Sequence, residues 1–256
     1  ITNPKIQFPL TRENIEHVKK LEQQAVEEIQ QAIQNNPDDI AGLIIEPIQA
    51  EGGDNHFRKE FFHSLRKLCD DNEIMFILDE VQTGVGITGK MWAYQHFSFE
   101  PDIIAFGKKT QVCGIMAGKR VDEIKDNVFS VPSRLNSTWG GNLVDMVRCQ
   151  KYLEVIHEDH LIDNAVKQGE YLLKGLIELS EKHPTKLSNV RGWGLMCAFD
   201  LSSTEKRNEF KKRLYNEKVI ILGCGEKSIR FRPPLIISAD EINQACRIID
   251  SQLQTL

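Results

Sequence analysis

No run in this chain approaches the ~18 consecutive apolar residues that a membrane span needs. Its first stretch, ITNPKIQFPLTREN, has neither the basic nor the apolar region of a signal peptide. A cytoplasmic protein without membrane contact is therefore expected. There is no C-x-x-C pair either: Cys69, Cys113, Cys149, Cys197, Cys224 and Cys246 are scattered, which argues against a zinc knuckle and a disulfide framework and leaves reduced thiols in apolar settings. Long runs of Lys or Arg are missing too. With a formal net charge of -5 over 256 residues, no nucleic-acid footprint is expected. Hydrophobic residues make up 41% and charged residues 27%, a composition that argues against disorder and fibrous folds, and a small-molecule partner becomes the default.

What is present is an alternation of helical and strand patterns. Residues 12–35 place Ile15, Val18, Leu21, Ala25, Ile29 and Ile33 at helical spacing, with no Gly or Pro. IAGLIIEPI then reads as a strand closing on Glu46-Pro47, RKEFFHSLRKLCDDN as a helix, and IMFILDEV and DIIAFG as two more buried strands. Nearly all-apolar strands alternating with helices predict an α/β domain with a mostly parallel sheet covered on both faces. From about 142 the pattern changes. Two long helical segments, 142–158 and 161–182, precede the strand VRGWGLMCAFDL, a helix at 204–217, short strands near 219–222 and 228–232, and a closing helix whose Ser238 and Glu241 fit a capping box. A smaller α+β unit is expected here. We place the division at residues 1–155 and 156–256. Because the chain starts at Ile1 and runs almost at once into a long helix, a fragment of a longer protein is expected.

In parallel sheets ligands gather at the carboxyl ends of strands. Those ends carry Glu46, Asp79 and Lys108. Three motifs compete for attention nearby. GVGITG, Gly84–Gly89, matches G-x-G-x-x-G, but DEVQT separates it from the strand and Asp102 precedes the next strand instead of ending it, so the glycines read as loop geometry. GKKT lacks the earlier glycine of a phosphate-binding loop, with Asp102 in its place. His157 and His160 in HEDH have metal-ligand spacing but no further clustered ligands, so a solvated helix end and no metal are expected. Asp79 with Lys108 is compatible with an ordinary salt bridge. It is equally the pair that pyridoxal phosphate chemistry requires: a lysine amine to hold the cofactor covalently, and a carboxylate to keep the ring nitrogen protonated so that the ring accepts electrons.

The flanking residues favour the second reading. FILDEVQTGVGITGKMWAYQHFSFEPDIIAFGKKTQVCG resembles the cofactor-attachment signature of the class III pyridoxal-phosphate aminotransferases, whose members act on amines such as ornithine, 4-aminobutyrate and lysine. The resemblance implies a fold type I large domain with a smaller C-terminal domain, and covers the chain from about residue 40 to its end. It puts the ring-nitrogen partner on Asp79, a contact to the ring's phenolic oxygen on Gln82 and the covalent anchor on Lys108, with Lys109 a neighbour pointing the opposite way if strand geometry continues.

Further matches extend it. EPIQAEGG resembles the segment whose second acid, Glu51, acts as a gate, and IRFRPPL the segment whose first arginine, Arg230, binds a substrate carboxylate. SRLNSTWGGN resembles a segment that crosses a homodimer interface, with Thr138 on the phosphate of the partner's cofactor and Asn136 near substrate. The implied reaction moves the ε-amino group of L-lysine to 2-oxoglutarate; another ω-amine donor, or an inactive fragment that binds no cofactor, are the alternatives. The family's N-terminal section, which supplies a phosphate cup, a stacking aromatic and an α-carboxylate arginine, has no counterpart, so a truncated form is expected.

Overall fold

The structure, a computed structural model, describes residues 1–135 and 138–256. Helix α1, Arg12–Asn35, starts where the Thr11 side chain accepts the Asn14 N–H, and it buries Val18, Ala25 and Ile29 as one stripe. Strand β1, Gly42–Ile45, helix α2, Lys59–Asp71, and strands β2, Met75–Asp79, and β3, Ile103–Phe106, follow as the apolar runs predict. These three strands are parallel neighbours in the order β1-β2-β3. A fourth strand, β4, Gly114–Ala117, returns antiparallel to β3 with Gly114 opposite Phe106. Its four residues are mostly exposed, although they lie in the short apolar run VCGIMA, 112–117. Gly114 is required there, since a Cβ would lie 2.6 Å from the Phe106 ring.

Helices α1 and α2 cover one face of this sheet. Phe76 and Leu78 of β2 meet Ala25, Phe62, Leu65 and Phe97 in a core dominated by aromatic rings. Phe62 is fully buried at its centre, a position where truncation to Ala costs about 3–5 kcal/mol. The other face is less enclosed than the apolar runs suggest: β2 alternates half-buried and buried residues, and Ile44 on edge strand β1 is 63% exposed.

Beyond a short helix α3, Lys119–Asp122, come helix α4, Leu143–Glu158, helix α5, Leu161–Lys182, strands β5, Ser188–Trp193, and β6, Met196–Asp200, helix α6, Thr204–Asn216, strands β7, Leu222–Cys224, and β8, Ser228–Arg230, and helix α7, Ala239–Gln254. The strands form an antiparallel sheet in the order β5-β6-β8-β7. Its core joins Leu172 and Leu176 of α5, Phe210 of α6 and Ile249 of α7 to Phe199 and Ile229. The strand expected at 219–222 begins later, because the Val219 N–H closes the end of α6 on the Leu214 carbonyl. Ser238 and Glu241 do form the expected capping box at α7.

The two sheets meet through Ile48, Ala50, Ile87, Ala165, Leu195 and Met196. The contact is tight at Gly169, where a Cβ would lie 2.1 Å from the carbonyl carbon of Gly194, which itself has φ +52°. This seam packs the strand-end loops of the first sheet against α5 and the start of β6.

Candidate functional site

Parallel pairing delivers β2 and β3 to one edge of the first sheet, with Asp79 opposite Ala105. Strand β3 stops at Phe106, and a 3-10 turn takes over at Lys108–Thr110. Lys108 adopts φ 52°, a left-handed conformation that costs a side chain other than glycine on the order of 1–3 kcal/mol, and it stands exposed. Strand alternation therefore does not separate the two lysines; the turn does. Lys109 points inward, its Nζ donating to the Gln82 carbonyl at 2.7 Å. Burial, with the nearby cations Arg232 and Lys108, lowers its pKa to about 8.

The turn after β2 divides its two acids between separate tasks. Asp79 accepts the Val81 N–H at 3.0 Å. Glu80 is buried and accepts the Thr83 hydroxyl and the Ala93 and Tyr94 N–H groups at 2.9, 2.7 and 2.8 Å, with burial raising its pKa. The 80–84 turn is thereby anchored from beneath while Gln82 is left facing outward. Gly86 and Gly89 take positive φ in a turn that opens no helix, in keeping with loop geometry.

Strand β8 brings Arg230 to the same place. Its Nη2 donates to Glu51 Oε1 at 2.6 Å, the two side chains being 9% and 67% exposed. Arg230 Nε and Nη1 are buried with no hydrogen-bond partner among the described residues. The bond from Arg230 lowers the pKa of Glu51 most; burial opposes it, and the Arg230 charge, Lys108 and Gln82 add smaller pulls.

Two positions on, Arg232 pairs with the fully buried Asp54 through both carboxylate oxygens, one at 2.8 Å. Arg191 lies behind, 2% exposed, donating to the Gly53 and Asp54 carbonyls and to Ser228 Oγ and pairing with Asp200 at 2.9 Å. The 51–54 loop that carries Glu51 is thus held by three arginines.

A cleft of about 640 Å³ contains Gln82, Lys108, Lys109, Arg230, Arg232 and Tyr152 of α4 in its walls. Asp79 lines a separate hollow of about 400 Å³ with Glu46 and Gln49. Glu46 accepts the Ala50 N–H at 3.0 Å and burial raises its pKa. Of the residues singled out from the sequence, Glu51, Gln82, Lys108 and Arg230 are brought together, and Asp79 ends the strand next to the one that leads to Lys108. Thr138 is exposed, and Asn136 lies outside the described residues. His157 and His160 are exposed, and no group of three potential metal ligands occurs among the described residues. Asp54, Arg191 and Arg232 join the site without having been singled out from the sequence, and Lys109 enters it as more than a neighbour. One signal was available: Arg230 and Arg232 are two apart in RFRPPL, the spacing that puts side chains on one face of a strand.

The donor set suits an aldehyde cofactor bearing negative charge. An exposed amine, an outward amide and an incompletely paired buried guanidinium share one cleft, and unpaired buried polar atoms are uncommon without a ligand to meet them.

The aminotransferase class-III family matches residues 2–253. The L-lysine-epsilon aminotransferase of Mycobacterium tuberculosis is 51% identical over 98% of this chain and 56% of its own length, and that of Streptomyces clavuligerus 48% over 99% and 55%. The human mitochondrial 4-aminobutyrate aminotransferase is 36% identical over 91% and 46%. A solved structure of lysine aminotransferase from M. tuberculosis in the internal aldimine form superposes with a TM-score of 0.95 at 50% identity, over 99% of this chain and 57% of that one. The chain spans about half the length of the curated relatives it matches, and it belongs to the class III aminotransferases.

Proposed function

We propose that this class III aminotransferase chain carries the lysine-bearing part of a pyridoxal-phosphate-dependent L-lysine 6-aminotransferase, truncated relative to its relatives. The reaction moves the ε-amino group of L-lysine to 2-oxoglutarate and yields 2-aminoadipate 6-semialdehyde and L-glutamate. The observation that carries this reading is the half-satisfied Arg230: buried, tied to Glu51 by one nitrogen, and sharing a cleft with the exposed amine of Lys108.

When bound, the cofactor supplies an electron sink for the negative charge that develops on the amine-bearing carbon. Lys108 would hold it through its amine, with Asp79 as the carboxylate for its ring nitrogen and Gln82 as the amide for its phenolic oxygen. The Lys108 amine would also move the proton to and from the substrate carbon as general base. Glu51 neutralises Arg230 while the amine donor, which brings no carboxylate there, is bound. It swings aside when 2-oxoglutarate presents one. The asymmetry of exposure supports this, since Glu51 can rotate into water at little cost whereas an unpaired buried guanidinium is expensive.

The same reading takes 1–155 as a partial cofactor-binding large domain and 156–256 as a small domain, supported by the separation of the parallel and antiparallel sheets. It takes the assembly as a homodimer with shared sites, Thr138 reaching the partner's cofactor phosphate and Asn136 the substrate. A cytoplasmic setting accords with six free cysteines. Formation of glutamate from L-lysine and 2-oxoglutarate tests the proposal; glutamate formed only from ornithine or 4-aminobutyrate overturns it.

A further inference from the structure

Two turns shape the cleft, and one side chain joins them. The turn at 108–111 closes on itself, the Lys108 carbonyl accepting the Gln111 N–H at 2.9 Å and its side-chain amide at 3.1 Å. The turn at 80–84 closes on Glu80. Neither closure sets the distance between the turns. Strand pairing brings them side by side, the Glu80 N–H reaching the Ala105 carbonyl at 2.9 Å, and beyond the last rung the Lys109 amine ties one turn to the other, bonding across 27 positions to the Gln82 carbonyl.

We propose that Lys109 is a positioning residue for the reaction: its tie to the Gln82 backbone places the Gln82 side chain in the cleft beside Lys108 and the Glu51–Arg230 pair. The inference rests on the function proposed above. Its setting is an uncommon place for a purely structural donor, because the cations Arg232 and Lys108 face the amine and the buried Glu80 is the opposing acid. A neutral donor would hold a loop carbonyl without burying charge.

A double-mutant cycle with Lys109→Met and Gln82→Ala tests this, read by absorbance titration of pyridoxal phosphate into the cofactor-free protein and by kcat. Loss of a charged hydrogen bond corresponds to about tenfold or more, so each single change is expected to weaken cofactor affinity and kcat by about that factor. The double variant should be no worse than about twofold beyond either, because both remove the same placement. In the cofactor-free protein, Lys109→Met should also speed amide exchange at residues 81–84. Multiplied losses in the double variant, or wild-type affinity and exchange in Lys109→Met, overturn the inference. Should Lys109→Met not fold, Lys109→Arg keeps donor and charge and is expected within about threefold of wild type; a loss as large as that of Gln82→Ala contradicts the role. If wild type itself gives no cofactor absorbance, the proposed function fails instead, which separates the two.

Discussion

Arg230 Nη2 lies 2.6 Å from Glu51 Oε1, while Nε and Nη1 of the same guanidinium are buried without a partner among the described residues. The pair is lopsided: the arginine is almost wholly enclosed and the glutamate is mostly in water. A structural salt bridge would gain by satisfying all its buried atoms. One that leaves two of three nitrogens open on its buried side is suited to exchanging partners.

Replacing Glu51 by Gln should therefore separate the two half-reactions. Reaction with L-lysine is expected to slow by about tenfold, the scale of one charge-assisted hydrogen bond, while reaction with 2-oxoglutarate is retained or improved. Stopped-flow absorbance of each half-reaction reads this directly. Equal losses in both would remove the gate from the account. Gln keeps an acceptor for Arg230 but removes the charge that compensates its buried guanidinium, so a lower melting temperature is expected as well.

Lys109 should not rescue the loss of Lys108. Its amine is already bonded to the Gln82 carbonyl, so Lys108→Ala protein mixed with pyridoxal phosphate is expected to develop no protein-bound absorbance. Absorbance at the wild-type level in this variant would mean that the wrong lysine has been chosen.

Much of this site was legible because its chemistry is local in sequence. The apolar runs before Asp79 and Lys108 announce parallel strands, and parallel strands place their last residues together. What was not legible depends on contacts between distant segments. Nothing in GKKT says which lysine turns inward; the choice depends on the Gln82 carbonyl, reached only after β2 and β3 pair. Nothing in EGGDN announces that Asp54 will be buried against Arg232, nor that Arg191 will hold the same loop from β5. The antiparallel β4 escaped notice because VCGIMA is a short apolar run broken by Gly114, and periodicity alone does not assign such a run to a strand.

Arg191→Met tests that loop support. Removing one partner of a buried ion pair typically costs about 3–5 kcal/mol, and here it strips Asp200 of its ion pair and the Gly53 and Asp54 carbonyls of a donor. Denaturant unfolding should report a loss of that order. A change below about 1 kcal/mol, the range of exposed pairs, would show that the network is not the loop's support.

Acid stability should carry the signature of His56. Complete burial lowers its pKa from 6.5 to about 3. The folded state then binds fewer protons than the unfolded state between those values, so stability is fully present above pH 6.5 and falls as pH drops toward 3. One such group contributes a slope of about 1.4 kcal/mol per pH unit across the window. Urea unfolding at a series of pH values should show this component in wild type, and His56→Phe should remove it. An unchanged slope in the variant would assign acid sensitivity elsewhere. Lys109, lowered from 10.5 to about 8, works in the same direction at high pH: its contribution rises as pH increases through that interval.

We assign the reagent amine of this cleft to Lys108. Borohydride reduction of the protein after mixing with pyridoxal phosphate, followed by peptide mass spectrometry, tests it most directly, since reduction fixes the cofactor on whichever amine has bonded to it. The account predicts a phosphopyridoxyl group on Lys108 and none on Lys109. Label on Lys109, label spread over surface lysines, or no label at all would contradict it.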